Sequence, residues 1–166
     1  TGDSHKIGPA NFYRSAGDPR ARAEFVSELF MGVRLRCANC HNHPLDQWTQ
    51  DDYHGLSAIF APLQVGRVIS VKDGAEVTHP RTGEAAVPRI PGTRFLNSAL
   101  TGRQMLADWL TDQQNPYFAQ AAVNRLWKNM MGRGLVEPTD DMRSTNPATH
   151  PKLLKELARQ FSEHDY

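Results

Sequence analysis

The run Arg36-Cys37-Ala38-Asn39-Cys40-His41-Asn42-His43-Pro44 holds both cysteines of this 166-residue chain and two of its seven histidines. Cys-x-x-Cys-His is the spacing that attaches a c-type haem. Each thiol adds across one haem vinyl group to form a thioether, and the imidazole directly after the second cysteine is held beneath the iron. On this reading Cys37 and Cys40 bind the cofactor and His41 is the proximal ligand. His43-Pro44 turns the chain away, because proline biases the residue before it toward extended backbone. Arg34 and Arg36 stand just ahead of the motif, where a guanidinium can pair with a haem propionate in bidentate fashion. Equally, they are cations at a helix C-terminus, which are favoured there whatever lies nearby.

The same residues carry two other chemistries. Cys37, Cys40 and His43 have the spacing of part of a tetrahedral zinc site, with a fourth ligand from elsewhere. A Cys-x-x-Cys pair also serves as a redox dithiol, but that motif opens a helix after a strand, and no βαβ pattern surrounds it here. The haem and zinc readings share both cysteines and part at the histidine: His41 for iron, His43 for zinc.

Composition bounds the setting. With 39% hydrophobic and 22% charged residues, the chain suits one or two small globular units with a real core. A net charge of +1 and a pI near 7.8 create no field that would draw nucleic acid or an anionic membrane. No run approaches the ~18 apolar residues of a membrane span, and no secretory signal opens the sequence. Covalent haem attachment takes place outside the cytoplasmic membrane, so the haem reading implies an exported protein, periplasmic or cell-surface, whose signal lies upstream of Thr1. Ser162-Glu163-His164-Asp165-Tyr166 stops on a helical pattern without a Gly or Pro terminator, which points to a piece of a longer chain.

The elements that must position the motif follow from periodicity. Gly8 to Tyr13 reads as an extended or turning lead-in. Asp18-Pro19 supplies an N-cap and a first-turn proline, and Phe25, Leu29 and Val33, flanked by Val26 and Phe30, recur at helical spacing, which predicts a helix over 19–34. Thr49-Gln50-Asp51-Asp52 resembles a capping box with Asp in the Glu position, opening a helix with Tyr53, Leu56, Ile59 and Phe60 inward up to Pro62. Residues 64–97 are rich in Gly, Pro and β-branched residues. Val65 to Val71 is expected to pair with Ala75 to Val77 across an Asp73-Gly74 turn, with prolines barring any central strand beyond. Helices resume at 101–110, with Leu106, Trp109 and Leu110 inward, and at 116–131 after Asn115-Pro116, with Phe118, Ala122, Leu126 and Met130 inward. A last helix follows Asn146-Pro147-Ala148-Thr149-His150-Pro151, with Leu153, Leu154, Leu157 and Phe161 inward.

Two stretches carry a family resemblance. Phe30 to Pro44 together with Trp48-Thr49-Gln50-Asp51-Asp52-Tyr53 resembles the first of two domains of unknown function in large exported planctomycete cytochrome proteins. Ala107 to Thr111, Asn115 to Ala119, Val123 to Trp127 and the run from Gly132 through His150-Pro151 resemble the second. The resemblance implies a junction fragment: the end of the first domain, a variable hairpin linker, and the start of the second. It supports haem c. Met142 departs from the pattern, which usually shows an aromatic residue there.

His43 sits too close in the chain to His41 to reach the opposite haem face. That leaves His5, His54, His79, His150, His164 and the methionines as distal ligands. His150, in the family-like Asn-Pro-x-x-His-Pro motif, is the first choice, and a helix cap is its alternative. Met142 is the second candidate, and Met/His ligation would raise the potential. No Gly-x-Ser-x-Gly elbow or phosphate loop is present, and Asp140-Asp141 with Arg143 reads as a turn with a salt bridge, so no catalytic residue is assigned. The expectation is a mainly α-helical c-type haem-binding unit with a small β-hairpin, serving electron transfer with a redox partner protein. A metal-stapled interaction module and a haem enzyme or sensor with an open sixth position are the alternatives. Residues 1–63, 64–97 and 98–166 are the expected segments. The unpaired apolar stripes lead to the expectation that both halves pack as one unit, the second covering the haem.

Overall fold

The computed structural model describes residues 2–164 and 166. It is mainly α, with 45% of the chain helical and a small three-stranded antiparallel sheet. The chain divides into two compact units: Thr1–Phe25, Leu35–His43 and Gln47–Leu106 form the first, and Val26–Arg34, Pro44–Asp46 and Ala107–Tyr166 the second. No helix among the described residues is long and apolar enough to cross a membrane.

The first unit is built around helix α2, Gln50–Phe60. Thr49 caps it by accepting from the Asp52 backbone N–H, while the Asp52 carboxylate accepts from the Thr49 N–H at 2.9 Å, so the reciprocal box read from the sequence is present. Every residue from Asp52 to Phe60 is buried, polar ones included, and this helix is covered on all sides rather than on one stripe. Trp48 is buried just before it, and the lead-in closes as a 3₁₀ helix over Gly8–Arg14. Phe12 and Phe25 meet with ring centroids 5.4 Å apart.

The hairpin forms one turn earlier than its sequence signal suggests. Strands β2, Leu63–Val65, and β3, Val68–Val71, pair antiparallel through Gly66 and Arg67, with Leu63 opposite Val71 and Val65 opposite Ile69. Strand β1, Gly2–Asp3, takes the other edge of β3, a non-local pairing that no local turn signal reports. Asp73-Gly74 is a turn, but it leads the chain out of the sheet: Gly74 has φ 76° and its own N–H is held by the Asp73 carboxylate. Val77 pairs forward instead, its carbonyl accepting from Ala86 N, with His79-Pro80 near the tip of that excursion. Val77 and His79 thus spend their hydrogen bonds on Ala86 and Glu84, with Thr78 bridged to Ala85.

Helix α1, Pro19–Val26, starts as expected, with Asp18 Oδ1 accepting from Arg20 N at 2.8 Å and Ala21 N at 3.0 Å. It does not continue regularly to Arg34. The backbone widens into a π-helical turn over Ser27–Met31 and stops at Gly32, φ 68°. A π turn carries one extra residue and rotates the side chains that follow it. Ser27 and Met31 are therefore buried, whereas Leu29 and Phe30 are only half-buried.

In the second unit, helices α4, Phe118–Met131, and α5, Pro151–Glu163, pack on a core of Val123, Leu135, Val136 and Leu154, with Trp127, Met142, Leu157 and Phe161 against it. Helix α3, Ala99–Leu110, belongs to the first unit as far as Leu106 and to the second from Ala107, with Leu106 and Leu110 buried. Asn115 Oδ1 accepts from Tyr117 N and Phe118 N, as the Asn-Pro signal implies. The inward face of α4 is not the expected one. Ala119, Ala121, Val123 and Asn124 are buried, while Leu126 and Met130 are 49% and 72% exposed and line an open apolar groove with Leu157 and Phe161. The rotation follows from Asn124, whose amide closes a pair with Val136: Nδ2 donates to the carbonyl at 2.9 Å and Oδ1 accepts from the N–H at 3.0 Å. A buried amide bonded through both its nitrogen and its oxygen fixes the face of the helix that carries it.

Candidate functional site

The Cys-x-x-Cys-His run lies at the surface of the first unit. Arg36–Asn39 forms a 3₁₀ turn, with Ala38 N donating to Leu35 O at 2.8 Å and Ala38 fully buried as its anchor. Cys37 and Cys40 are free and exposed. His41 is exposed, and its Nδ1 lies 2.7 Å from the Asn42 carbonyl oxygen. A carbonyl only accepts, so Nδ1 carries the proton and the Nε2 lone pair is left for a ligand. The first protein contact beyond a metal-bound histidine usually has this form, a backbone acceptor fixing tautomer and ring direction.

The motif rests on the first turns of α2. Gln50 Nε2 donates to Cys40 O at 2.9 Å and lies 3.5 Å from Asn39 O, while Gln50 N donates to Asn42 Oδ1 at 3.1 Å. One turn on, His54 Nε2 reaches Asn39 O at 2.9 Å. His43 N donates to Trp48 O at 2.8 Å, which turns the chain back toward α2 after the motif. Behind His54 stands His79, with ring centroids 4.9 Å apart, and His79 Nε2 lies 3.1 Å from Asp51 Oδ1. These contacts are hard to see in the sequence. The available signal is the i, i+4 spacing of Gln50 and His54, which puts both on one helix face.

Among the described residues, no three His, Cys, Asp or Glu side chains gather as a metal ion would require, so Cys37, Cys40 and His43 do not stand as an assembled zinc donor set. Arg36 is exposed beside the motif. Arg34 belongs to the second unit, where its guanidinium makes a bidentate pair with Asp140, Nη2 to Oδ1 at 2.8 Å and Nε to Oδ2 at 3.1 Å. His150, also in the second unit, is exposed at the start of α5 and makes no capping bond. Met142 packs against that unit's core, close to Gly32. Arg143 Nε lies 3.3 Å from Asp141 Oδ1, the salt bridge read from the sequence.

His54 makes the stability of the first unit pH-dependent. Its side chain is fully buried, and burial pushes the imidazole below the usual histidine range, against the raising effect of the Asn39 carbonyl. The folded state therefore binds fewer protons than the unfolded chain, in which this group titrates near 6.5. His54 costs no stability above that pH and a growing amount as pH falls below it. His54→Gln is expected to flatten this part of the acid limb, measured by urea unfolding at a series of pH values. An acid limb of the same slope in the variant would assign the loss to carboxylates instead.

Comparison with known families finds two matches along the chain. Residues 9–65 match the model described as PSCyt2, protein of unknown function (DUF1549), and residues 102–166 match that described as PSD1, protein of unknown function (DUF1553). No curated protein and no solved structure matches the chain. The π turn, the cysteine motif and α2 fall within the first match, α4 and α5 within the second, and the loops of 66–101 in neither. Residues 9–65 and 102–166 are therefore matched by the paired domains of unknown function of planctomycete-type cytochrome c proteins.

Proposed function

We propose that the first unit is a c-type cytochrome module that carries one covalent haem on Cys37 and Cys40, with His41 as proximal ligand, and that it transfers electrons in an exported protein. The observation that carries this reading is the state of the three residues together: two free, exposed thiols three positions apart and a neighbouring imidazole whose Nδ1 is pinned to a backbone carbonyl. A haem held there would supply one-electron chemistry through its iron. The chain's own part is to present two nucleophilic sulfurs and an unprotonated Nε2, and to hold the intervening backbone still. Arg36, exposed beside the motif, would pair with a propionate, whereas Arg34 is engaged by Asp140. A haem with an open sixth position is the alternative and would suit a sensor or redox enzyme.

The test is expression with a haem-attachment system, followed by denaturing electrophoresis with haem staining and an intact mass. The expected result is a stained band one haem heavier than the polypeptide. His41→Ala is expected to abolish the low-spin spectrum and His43→Ala to preserve it. A colourless protein at the polypeptide mass, or at that mass plus zinc, refutes the proposal.

A further inference from the structure

A Cys-x-x-Cys-His run at a protein surface has no reason of its own to hold two thiols and an imidazole in one arrangement. Short exposed turns are among the first parts of a protein to open. Here the carbonyl between the two cysteines and the carbonyl of the second cysteine are both held by a neighbouring helix. His54 Nε2 lies 2.9 Å from Asn39 O, and since a carbonyl only accepts, Nε2 is the protonated nitrogen. Gln50 Nε2 donates to Cys40 O at 2.9 Å, and its backbone N–H is capped by the Asn42 side chain at 3.1 Å. His54 is completely buried, a costly position for an imidazole that did not make a needed bond. Its ring is backed by His79, whose Nδ1 accepts from Arg81 N at 3.2 Å and whose Nε2 lies 3.1 Å from Asp51 Oδ1 without a hydrogen bond, so the backing ring is oriented through its Nδ1. The helix is immobilised in turn by the Thr49–Asp52 box at its start.

From this chain of contacts we infer that His54 and Gln50 are positioning residues for haem attachment: α2 acts as a template that fixes the Asn39 and Cys40 carbonyls and thereby the separation and direction of the Cys37 and Cys40 thiols. The inference rests on the proposed haem site but makes a claim about the unloaded chain. It assigns a role to a buried histidine that is not an iron ligand, and to a glutamine that carries no reactive group.

Three variants of the full chain test it: His54→Leu, which keeps the bulk and removes the donor; His54→Gln, which restores an N–H at the Nε2 position; and Gln50→Leu, at a half-buried site that folding tolerates. In the unloaded chain, amide exchange over residues 38–42 is expected to rise about ten-fold in His54→Leu and Gln50→Leu, the effect of losing one anchoring hydrogen bond. It is expected to return to within about two-fold of wild type in His54→Gln. Covalent haem yield is expected to follow the same order. Exchange unchanged in the folded Gln50→Leu and His54→Leu proteins, or His54→Gln as fast as His54→Leu, overturns the inference, the latter by reducing His54 to packing. Should His54→Leu fail to fold, Gln50→Leu alone decides. A wild-type chain that takes no haem refutes the proposed function, while the exchange result still decides whether α2 holds the loop.

Discussion

Replacing Cys37 and Cys40 together by alanine is expected to remove covalently bound haem completely while leaving the protein folded. The two thioethers would be the only covalent links between chain and cofactor, since no other cysteine is present. Both sulfurs are exposed and neither contributes to a core, so truncation should change stability by no more than about 0.5 kcal/mol, as for other surface substitutions away from special features. Loss of haem can therefore be separated from loss of fold. Each single variant leaves one thioether and the His41 Nε2 lone pair, and is expected to bind haem at reduced yield with the wild-type ligand set. Intact mass and the Soret absorbance of purified protein measure both outcomes. Haem mass retained in the double variant would sink the assignment.

Asp52→Ala is expected to destabilise the first unit by roughly 3–5 kcal/mol, the usual cost of removing one partner of a buried ion pair. The carboxylate is 2% exposed and works in four directions. It accepts from Thr49 N at 2.9 Å and Thr49 Oγ1 at 2.8 Å, closing the start of α2, and from Gly92 N at 2.9 Å, tying down the 88–96 loop. Arg89 Nε lies 2.9 Å from Oδ1, and its guanidinium stacks on Phe95 at 4.6 Å. Alanine would strand a half-buried guanidinium and two backbone donors at once. Because α2 also carries Gln50 and His54, the cysteine loop should loosen with it. Denaturant titration at pH 7 measures the loss. A change below about 1 kcal/mol with an unaltered denaturant slope would show that solvent replaces these contacts without penalty.

Local chemistry is legible in this chain wherever neighbours in sequence are also partners in space. Asp18 before Pro19, Thr49 with Asp52, and Asn115 before Pro116 each make the bonds their order implies, because a cap needs only the next two or three residues. The motif Cys37-x-x-Cys40-His41 is legible for the same reason, as a spacing that suits covalent haem and, with His43, part of a zinc site. What residue order leaves undetermined is every choice among distant partners. Whether Val77 bonds back to β3 or forward to Ala86, which face of α4 turns inward, and where a helix slips into a π turn depend on competing contacts that only folding compares. So does the role of His54. In sequence it is one histidine among seven, open to reading as an iron ligand. In the folded unit its nitrogen is committed to the Asn39 carbonyl, fifteen positions away, because the capping box aims α2 so that Gln50 and His54 face the loop between the cysteines. Spacing decides which atoms can react, and tertiary contact decides which residues hold them in place.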